Sequence, residues 1–204
     1  MLSKYIDDLE VGIDEAGRGS LLGRVYAGAV IWDSNIQNEN IKDSKKISKK
    51  KRVVLCDWIK SNSIAWGVGW AEASEIDELN ILEATKIAMT RAIDNLKLNF
   101  NVNFDTIIID GIGWENKFTN YNVHSLVKGD NKLYSIAAAS ILAKVYHDNH
   151  ITELCNESLE LDNNYNLLNN MGYGTKKHID GIHKYGKCIY HRNSFLKKID
   201  IYTL

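Results

Sequence analysis

Hydrophobic and polar positions fall into patterns that order most of the chain into elements. Residues 10–16 (EVGIDEA) and 24–32 (RVYAGAVIW) are β-rich runs separated by Gly17, Gly19 and Gly23, which predicts a hairpin. A mixed-polarity stretch over 48–59 predicts a helix, and the alternating aromatic run at 64–71 (IAWGVGWA) predicts a third strand that completes a meander. Ile81, Ala84, Ala88, Ala92, Ile93 and Leu96 recur at helical spacing, with Asn80 as N-cap and Glu83 closing a capping box. The short β-branched run at 105–111 (DTIIIDG) fits a buried parallel strand, with 122–128 as its neighbour. Residues 136–145 (IAAASILAKV) form a helical stretch of small side chains, able to lie close against a sheet. Polar helical stretches around the glycine-bearing loop 171–175 make up the rest. This order predicts an α/β domain with a mixed sheet and helices on both faces.

Composition changes that picture little. At 204 residues, 45% of them hydrophobic, the chain can bury a core without staples. Its three cysteines (Cys56, Cys155, Cys188) are odd in number and widely spaced, so no disulfide framework is expected and the thiols read as reduced and intracellular. No apolar run approaches a membrane span and the N-terminus lacks a signal-type core, so a cytoplasmic protein without membrane contact is expected. Formal net charge is −1, from 25 basic and 26 acidic residues, which announces no nucleic-acid partner globally. A local run, Lys45, Lys46, Lys49, Lys50, Lys51 and Arg52, is the exception, although a solvated helix face accounts for such runs most often.

Chemistry is signalled by acids. Asp14 and Glu15 end the first predicted strand, Asp110 ends the fourth, and Asp130 precedes the small-residue helix. One terminal aspartate is ordinarily a cap or turn residue. Several together are different: Asp110 follows TIII, where a lone buried carboxylate is costly, and converging carboxylates repel unless a divalent cation compensates them. Oxygen ligands without a matching Cys or His cluster favour Mg²⁺ or Mn²⁺ over zinc, and two such ions suit phosphodiester hydrolysis. Adjacent strand residues face opposite sides, so the strand is expected to end or distort at Glu15 if both Asp14 and Glu15 serve one site.

The chain resembles the type 2 ribonucleases H, or ribonuclease HII family. The resemblance lies in Gly12-Ile-Asp-Glu-Ala-Gly-Arg-Gly19, Lys42-Asp-Ser-Lys-Lys46, Ile108-Ile-Asp-Gly111, Lys128-Gly-Asp130, the stretch AAASILAKV at 137–145, Gly172-Tyr-Gly-Thr-Lys-Lys-His178 and His191-Arg-Asn-Ser-Phe195. Seven such elements in order span almost the whole chain. The resemblance implies a ribonuclease-H-like core over 1–150 and a C-terminal helical extension over 151–204, packed as one functional unit. It implies hydrolysis of RNA in RNA/DNA hybrids and incision of duplex DNA 5′ to single embedded ribonucleotides, leaving 3′-hydroxyl and 5′-phosphate ends. Such an activity belongs to ribonucleotide excision repair and RNA primer removal.

Carried over by position, the catalytic and metal-binding acids are Asp14, Glu15, Asp110 and Asp130, holding two Mg²⁺ or Mn²⁺ ions. Gly17, Arg18 and Gly19 resemble the loop whose backbone reads the 2′-hydroxyl, and Tyr173 the tyrosine that packs on the following deoxyribose. Lys45 resembles the phosphate-contacting lysine, with Ser44 as helper. Lys49 to Arg52 are candidates to track the duplex backbone, as is a basic C-terminal region of His178, His183, His191, Lys176, Lys177 and Arg192. Lys144 and Asp148 read as a structural pair. The chain departs from the family at Ser20 and Arg24, where prolines are common, and at His147, where arginine is. No clamp-docking motif follows Phe195, and a monomer is expected. A type 3-like enzyme, a resolvase-like nuclease and a catalytically silent hybrid-binding protein stand as alternatives; the first usually has a further N-terminal domain, and only thirteen residues precede Asp14.

Overall fold

The structure, a computed structural model, describes residues 9–41, 44 and 47–197. Lys45, with its expected phosphate contact, lies outside the described residues, as do Lys42, Asp43 and Lys46. In chain order the elements are β1 (Glu10–Ala16), β2 (Val25–Ile31), α1 (Lys49–Asn62), β3 (Ala65–Ala71), α2 (Ala73–Leu79), α3 (Ile81–Phe100), β4 (Thr106–Asp110) and β5 (Asn122–Leu126). Helices α4 (Tyr134–Glu157), α5 (Leu159–Tyr165), α6 (Leu167–Asn170), α7 (Lys176–Tyr185) and α8 (Asn193–Leu196) complete the chain. The sheet order is β3-β2-β1-β4-β5. The meander β1-β2-β3 is antiparallel, while β4 runs parallel to both β1 and β5, which gives the mixed sheet that the patterning predicts.

The period of two along each strand sorts the core onto two faces. Val11, Ile13, Ile107 and Ile109 pack with Ala88, Ala92 and Leu96 of α3. Ile108, between two of them, points the other way and meets Leu133 and Ile136 at the start of α4. Helix α4 approaches the sheet closely because its small residues meet a strand position without a side chain: a Cβ on Gly28 would fall inside van der Waals contact of the Ala139 carbonyl oxygen. Helix α4 runs unbroken through residue 150, and its C-terminal part joins Leu21 and Leu22 in a separate cluster with residues of α5, α6 and α7. No helix among the described residues is long and apolar enough to cross a membrane.

Asn80 caps α3 as expected, accepting from the N–H groups of Leu82 and Glu83, while the Glu83 carboxylate turns to Lys117 at 2.7 Å. A capping box lies instead at Glu72 and Glu75, opening α2, which the hydrophobic pattern alone does not reveal. Cys56, Cys155 and Cys188 are free thiols.

Candidate active site

Three aspartates from separate chain segments meet at one end of the sheet. Asp14 and Asp110 arrive there through strand register: β4 pairs with β1 so that Ile109 lies opposite Ile13, and the next residue on each strand is an aspartate. Both point to the α4 side, the face that Ile108 shares. Asp130 comes from a 3₁₀ turn at Gly129–Asn131, directly before α4. Asp110 anchors that turn, its Oδ1 accepting the Gly129 N–H at 2.6 Å. Asp14, Asp110 and Asp130 each offer an oxygen within 4.8 Å of the others, and Asp14 and Asp130 are buried.

Electrostatics explains what such a cluster requires. Burial raises the Asp14 pKa well above the usual carboxylate range, and the charges of Glu15 and Asp110 raise it further. Hydrogen bonds from the Ser140 side chain and the Glu15 N–H oppose the rise without cancelling it. Lys144, the ammonium that lines the same cavity, is committed to Asp148 at 2.8 Å, as the sequence suggests. A set of buried oxygen donors whose mutual repulsion is left uncompensated by this lysine fits a hard divalent cation. Asp14, Asp110 and Asp130 are the residues placed to hold one.

Glu15 is not in that three-residue group. Nor does the strand end at Glu15, as the sequence leads one to expect: β1 continues to Ala16, with Glu15 opposite Ala27 and Ala16 opposite Tyr26. The continuing antiparallel ladder with β2 keeps the strand regular after β4 has stopped at Asp110. Glu15 still lines the cavity, where Arg18 pairs with it at 3.3 Å.

That cavity, about 450 Å³, is walled by Asp14, Glu15, the loop Gly17–Arg18–Gly19, Ser44, Ser140, Lys144 and Tyr173. The loop turns at Gly17, whose φ is 81° and whose missing Cβ leaves room for the His147 ring. The Gly17 N–H donates to the Tyr173 hydroxyl at 3.2 Å, joining the glycine loop to a residue 156 positions away in the sequence. Tyr173 also faces the Lys144 ammonium, 5.0 Å from its ring, and the His147 ring at 5.7 Å. Ser44 is held by Ser140, the two hydroxyls 2.9 Å apart.

Much of the support around this wall is invisible in the sequence pattern. His147 contacts Ser20 through Nε2 (3.2 Å) and Asp148 through Nδ1 (3.1 Å). Burial works against ionising Asp148, yet hydrogen bonds from His147 and Lys144 outweigh it and hold its pKa below the usual value. Arg52, a candidate for tracking a duplex, is buried and reaches Asp148 at 3.2 Å and the Ser44 carbonyl at 2.7 Å. It therefore fastens α1 and the Ser44 segment to α4. Arg192 is fully buried and donates to the carbonyls of Arg18, Gly23 and Arg24, clamping the glycine loop from behind. His178 and His191 are 0% and 2% exposed, so neither they nor Arg192 form a duplex-contacting surface; Lys176 and Lys177 are exposed and His183 partly so. Trp114, unmarked by any motif, donates from Nε1 to the Asp110 carbonyl (3.2 Å), and the Arg18 guanidinium lies 6.0 Å from its ring.

Comparison with known proteins gives matches along most of the chain. The ribonuclease HII family model covers residues 11–198. The ribonuclease HII of Pelagibacter ubique is 46% identical over 187 residues, 90% of this chain and 94% of its own, and that of Caldicellulosiruptor bescii is 45% identical over 92% of this chain and 86% of its own. Among solved structures, ribonuclease H2 from Pyrococcus horikoshii superposes with a TM-score of 0.70 at 24% identity, covering 94% of this chain and 96% of that one.

Proposed function

Because this chain belongs to the ribonuclease HII family, a family of nucleases, we propose that it cuts the RNA strand of RNA/DNA hybrids and incises duplex DNA 5′ to a single embedded ribonucleotide. The observation that carries the reading is the meeting of Asp14, Asp110 and Asp130 beside a wall made of Gly17, Arg18, Gly19 and Tyr173. The acids are the catalytic part of the site and the wall is its specificity part.

In this reading Asp14, Asp110 and Asp130, with Glu15 at the rim, hold two Mg²⁺ or Mn²⁺ ions. When bound, such a pair supplies an activated water and neutralises charge on the attacking and leaving oxygens of an in-line displacement, giving 3′-hydroxyl and 5′-phosphate ends. The protein's own groups do the positioning. The Gly129 N–H fixes one Asp110 oxygen and Ser140 orients Asp14, so the carboxylates are preset before any substrate arrives. Residues 17–19 line the cavity; with the Gly17 N–H given to Tyr173 and the Gly17 and Arg18 carbonyls to Ser20 and Arg192, the 2′-hydroxyl contact falls to the remaining main-chain groups of Arg18 and Gly19. The Tyr173 ring stacks on the next sugar, which favours a junction from RNA to DNA because an added hydroxyl fits poorly against an aromatic face. Ser44, on the cavity wall, and Lys45, by its position in the sequence, are assigned to the substrate phosphate. The chain works as a cytoplasmic monomer in ribonucleotide excision repair and primer removal.

Mapping the cut on a duplex with one ribonucleotide, and identifying its ends, tests this reading. A single nick on the 5′ side, with a 3′-hydroxyl upstream, is the expected product. Cleavage on the 3′ side, or equal cutting of an all-DNA duplex, would refute it.

A further inference from the structure

A buried relay of hydrogen bonds ends on the main chain of Tyr173. The Cys188 N–H donates to His191 Nδ1 at 2.9 Å, which makes that nitrogen an acceptor and leaves the proton of the neutral ring on Nε2. His191 Nε2 stands 3.1 Å from His178 Nε2. Two acceptors or two donors cannot share that contact, so His191 donates and His178 accepts. His178 then carries its own proton on Nδ1, and Nδ1 lies 3.1 Å from the Tyr173 carbonyl oxygen. The direction is fixed throughout: Cys188 N–H to His191, His191 to His178, His178 to Tyr173.

The pair sits against the Tyr165 ring and is sealed from solvent, so neither imidazole has bulk water as an alternative partner. Thr175, the N-cap of α7, donates its N–H to the same Tyr173 carbonyl at 2.8 Å. Next along the chain from His191, Arg192 holds the carbonyls of Arg18, Gly23 and Arg24, while Leu22 and His191 form a β-bridge. One short segment therefore fixes both sides of the recognition wall, the glycine loop directly and the tyrosine through two rings.

We propose that His178 and His191 are positioning residues for Tyr173, fixing its backbone so that its ring meets the sugar after a lone ribonucleotide, and that they thereby set the preference for single-ribonucleotide substrates. This rests on the reading of Tyr173 given above. A long hybrid offers many alternative registers and depends less on one stacking contact, so the two substrates separate a positioning role from a general one.

The test compares two polar substitutions of the full chain with Mg²⁺ or Mn²⁺ present. In His178→Asn the side-chain amide sits at the level of Nδ1 and can still donate to Tyr173; in His178→Gln it reaches the level of Nε2, keeping the His191 contact and losing the one to Tyr173. His178→Gln is expected to lower kcat/KM for single-ribonucleotide incision about tenfold, with long-hybrid cleavage within about threefold of the parent chain, and His178→Asn to recover most of the loss. In a Tyr173→Ala background, His178→Gln should cost little more. Nitrogen-15 shifts of the unsubstituted protein provide a reading independent of any variant: His178 should be the Nδ1–H tautomer and His191 the Nε2–H tautomer. Equal losses on both substrates, no rescue by asparagine, or the opposite tautomers would overturn the inference while leaving the proposed activity standing. A parent chain that cuts hybrids but ignores a single ribonucleotide would overturn the reading of Tyr173 and this inference with it.

Discussion

Asp14 and Asp110 are neighbours because β4 lies parallel to β1 with a fixed offset, Ile13 opposite Ile109, so that an aspartate follows on each strand. Backbone register brings the two aspartates to the same end of adjacent strands, with an oxygen of each within 4.8 Å of the other. Their repulsion is thus built into the fold, and a bound cation is the natural relief for it.

Removing one charge should therefore separate activity from stability. Asp14→Asn is expected to lower cleavage by at least about a thousandfold, while the metal-free protein unfolds at an equal or higher temperature, by up to about 1 kcal/mol of added stability. Thermal unfolding with and without Mg²⁺ beside a cleavage assay reads both effects. Marked destabilisation of the metal-free Asp14→Asn chain would mean that the carboxylate is held by partners and needs no cation.

Tyr173→Ala should weaken single-ribonucleotide incision more than cleavage of a long hybrid, by about tenfold or more if stacking supplies one to two kcal/mol. Initial rates on the two substrates decide the point. A uniform loss would assign the ring to general packing around Lys144 and His147.

Arg192→Met should be among the most damaging single changes outside the acids. It leaves the carbonyls of Arg18, Gly23 and Arg24 without their donor in a buried site, at a cost of about 2–4 kcal/mol. Burial already depresses the guanidinium to a pKa of about 10, so the residue remains charged and donating at neutral pH. Urea unfolding that shifts by less than a few tenths of a kcal/mol would show that water replaces the clamp.

Three buried histidines and a half-buried one, His150, predict acid lability. Burial lowers the pKa values of His147 and His178 and brings those of His150 and His191 to about 4, against 6.5 for the free side chain. The unfolded chain therefore takes up protons first as pH falls below 6.5, so the stabilisation is complete above that value and is lost on the way down to about 4. Asp14, with its raised pKa, acts in the opposite sense, favouring the fold at low pH. Measured in the Asp14→Asn chain, the unfolding temperature should drop clearly between pH 7 and pH 5. A flat profile there would mean that the rings take up protons inside the fold as readily as in the unfolded chain.

How far the sequence reveals this site follows from what each residue's neighbours encode. Asp14 and Asp110 are legible because each closes an apolar strand, and Asp130 because it precedes a helix of small residues. Glu15 is harder: a strand-period argument asks for a break, and the ladder to β2 supplies none. The inward turn of His178, His191, Arg192 and Arg52 is illegible, since polar side chains buried by mutual hydrogen bonds carry no hydrophobic period. Helix α2 escapes notice because its seven residues bury only Ile76 and its cap is a glutamate.

The central claim, that the aspartate cluster beside the Tyr173 wall performs metal-dependent incision at a ribonucleotide, is tested most directly by one assay. A DNA duplex carrying one ribonucleotide is incubated with the protein and Mg²⁺ or Mn²⁺, with EDTA, and with the Asp130→Asn chain. Cutting only 5′ to the ribonucleotide, abolished by EDTA and by Asp130→Asn, is the predicted result. Incision that survives EDTA, or that Asp130→Asn performs at the parent rate, would contradict it.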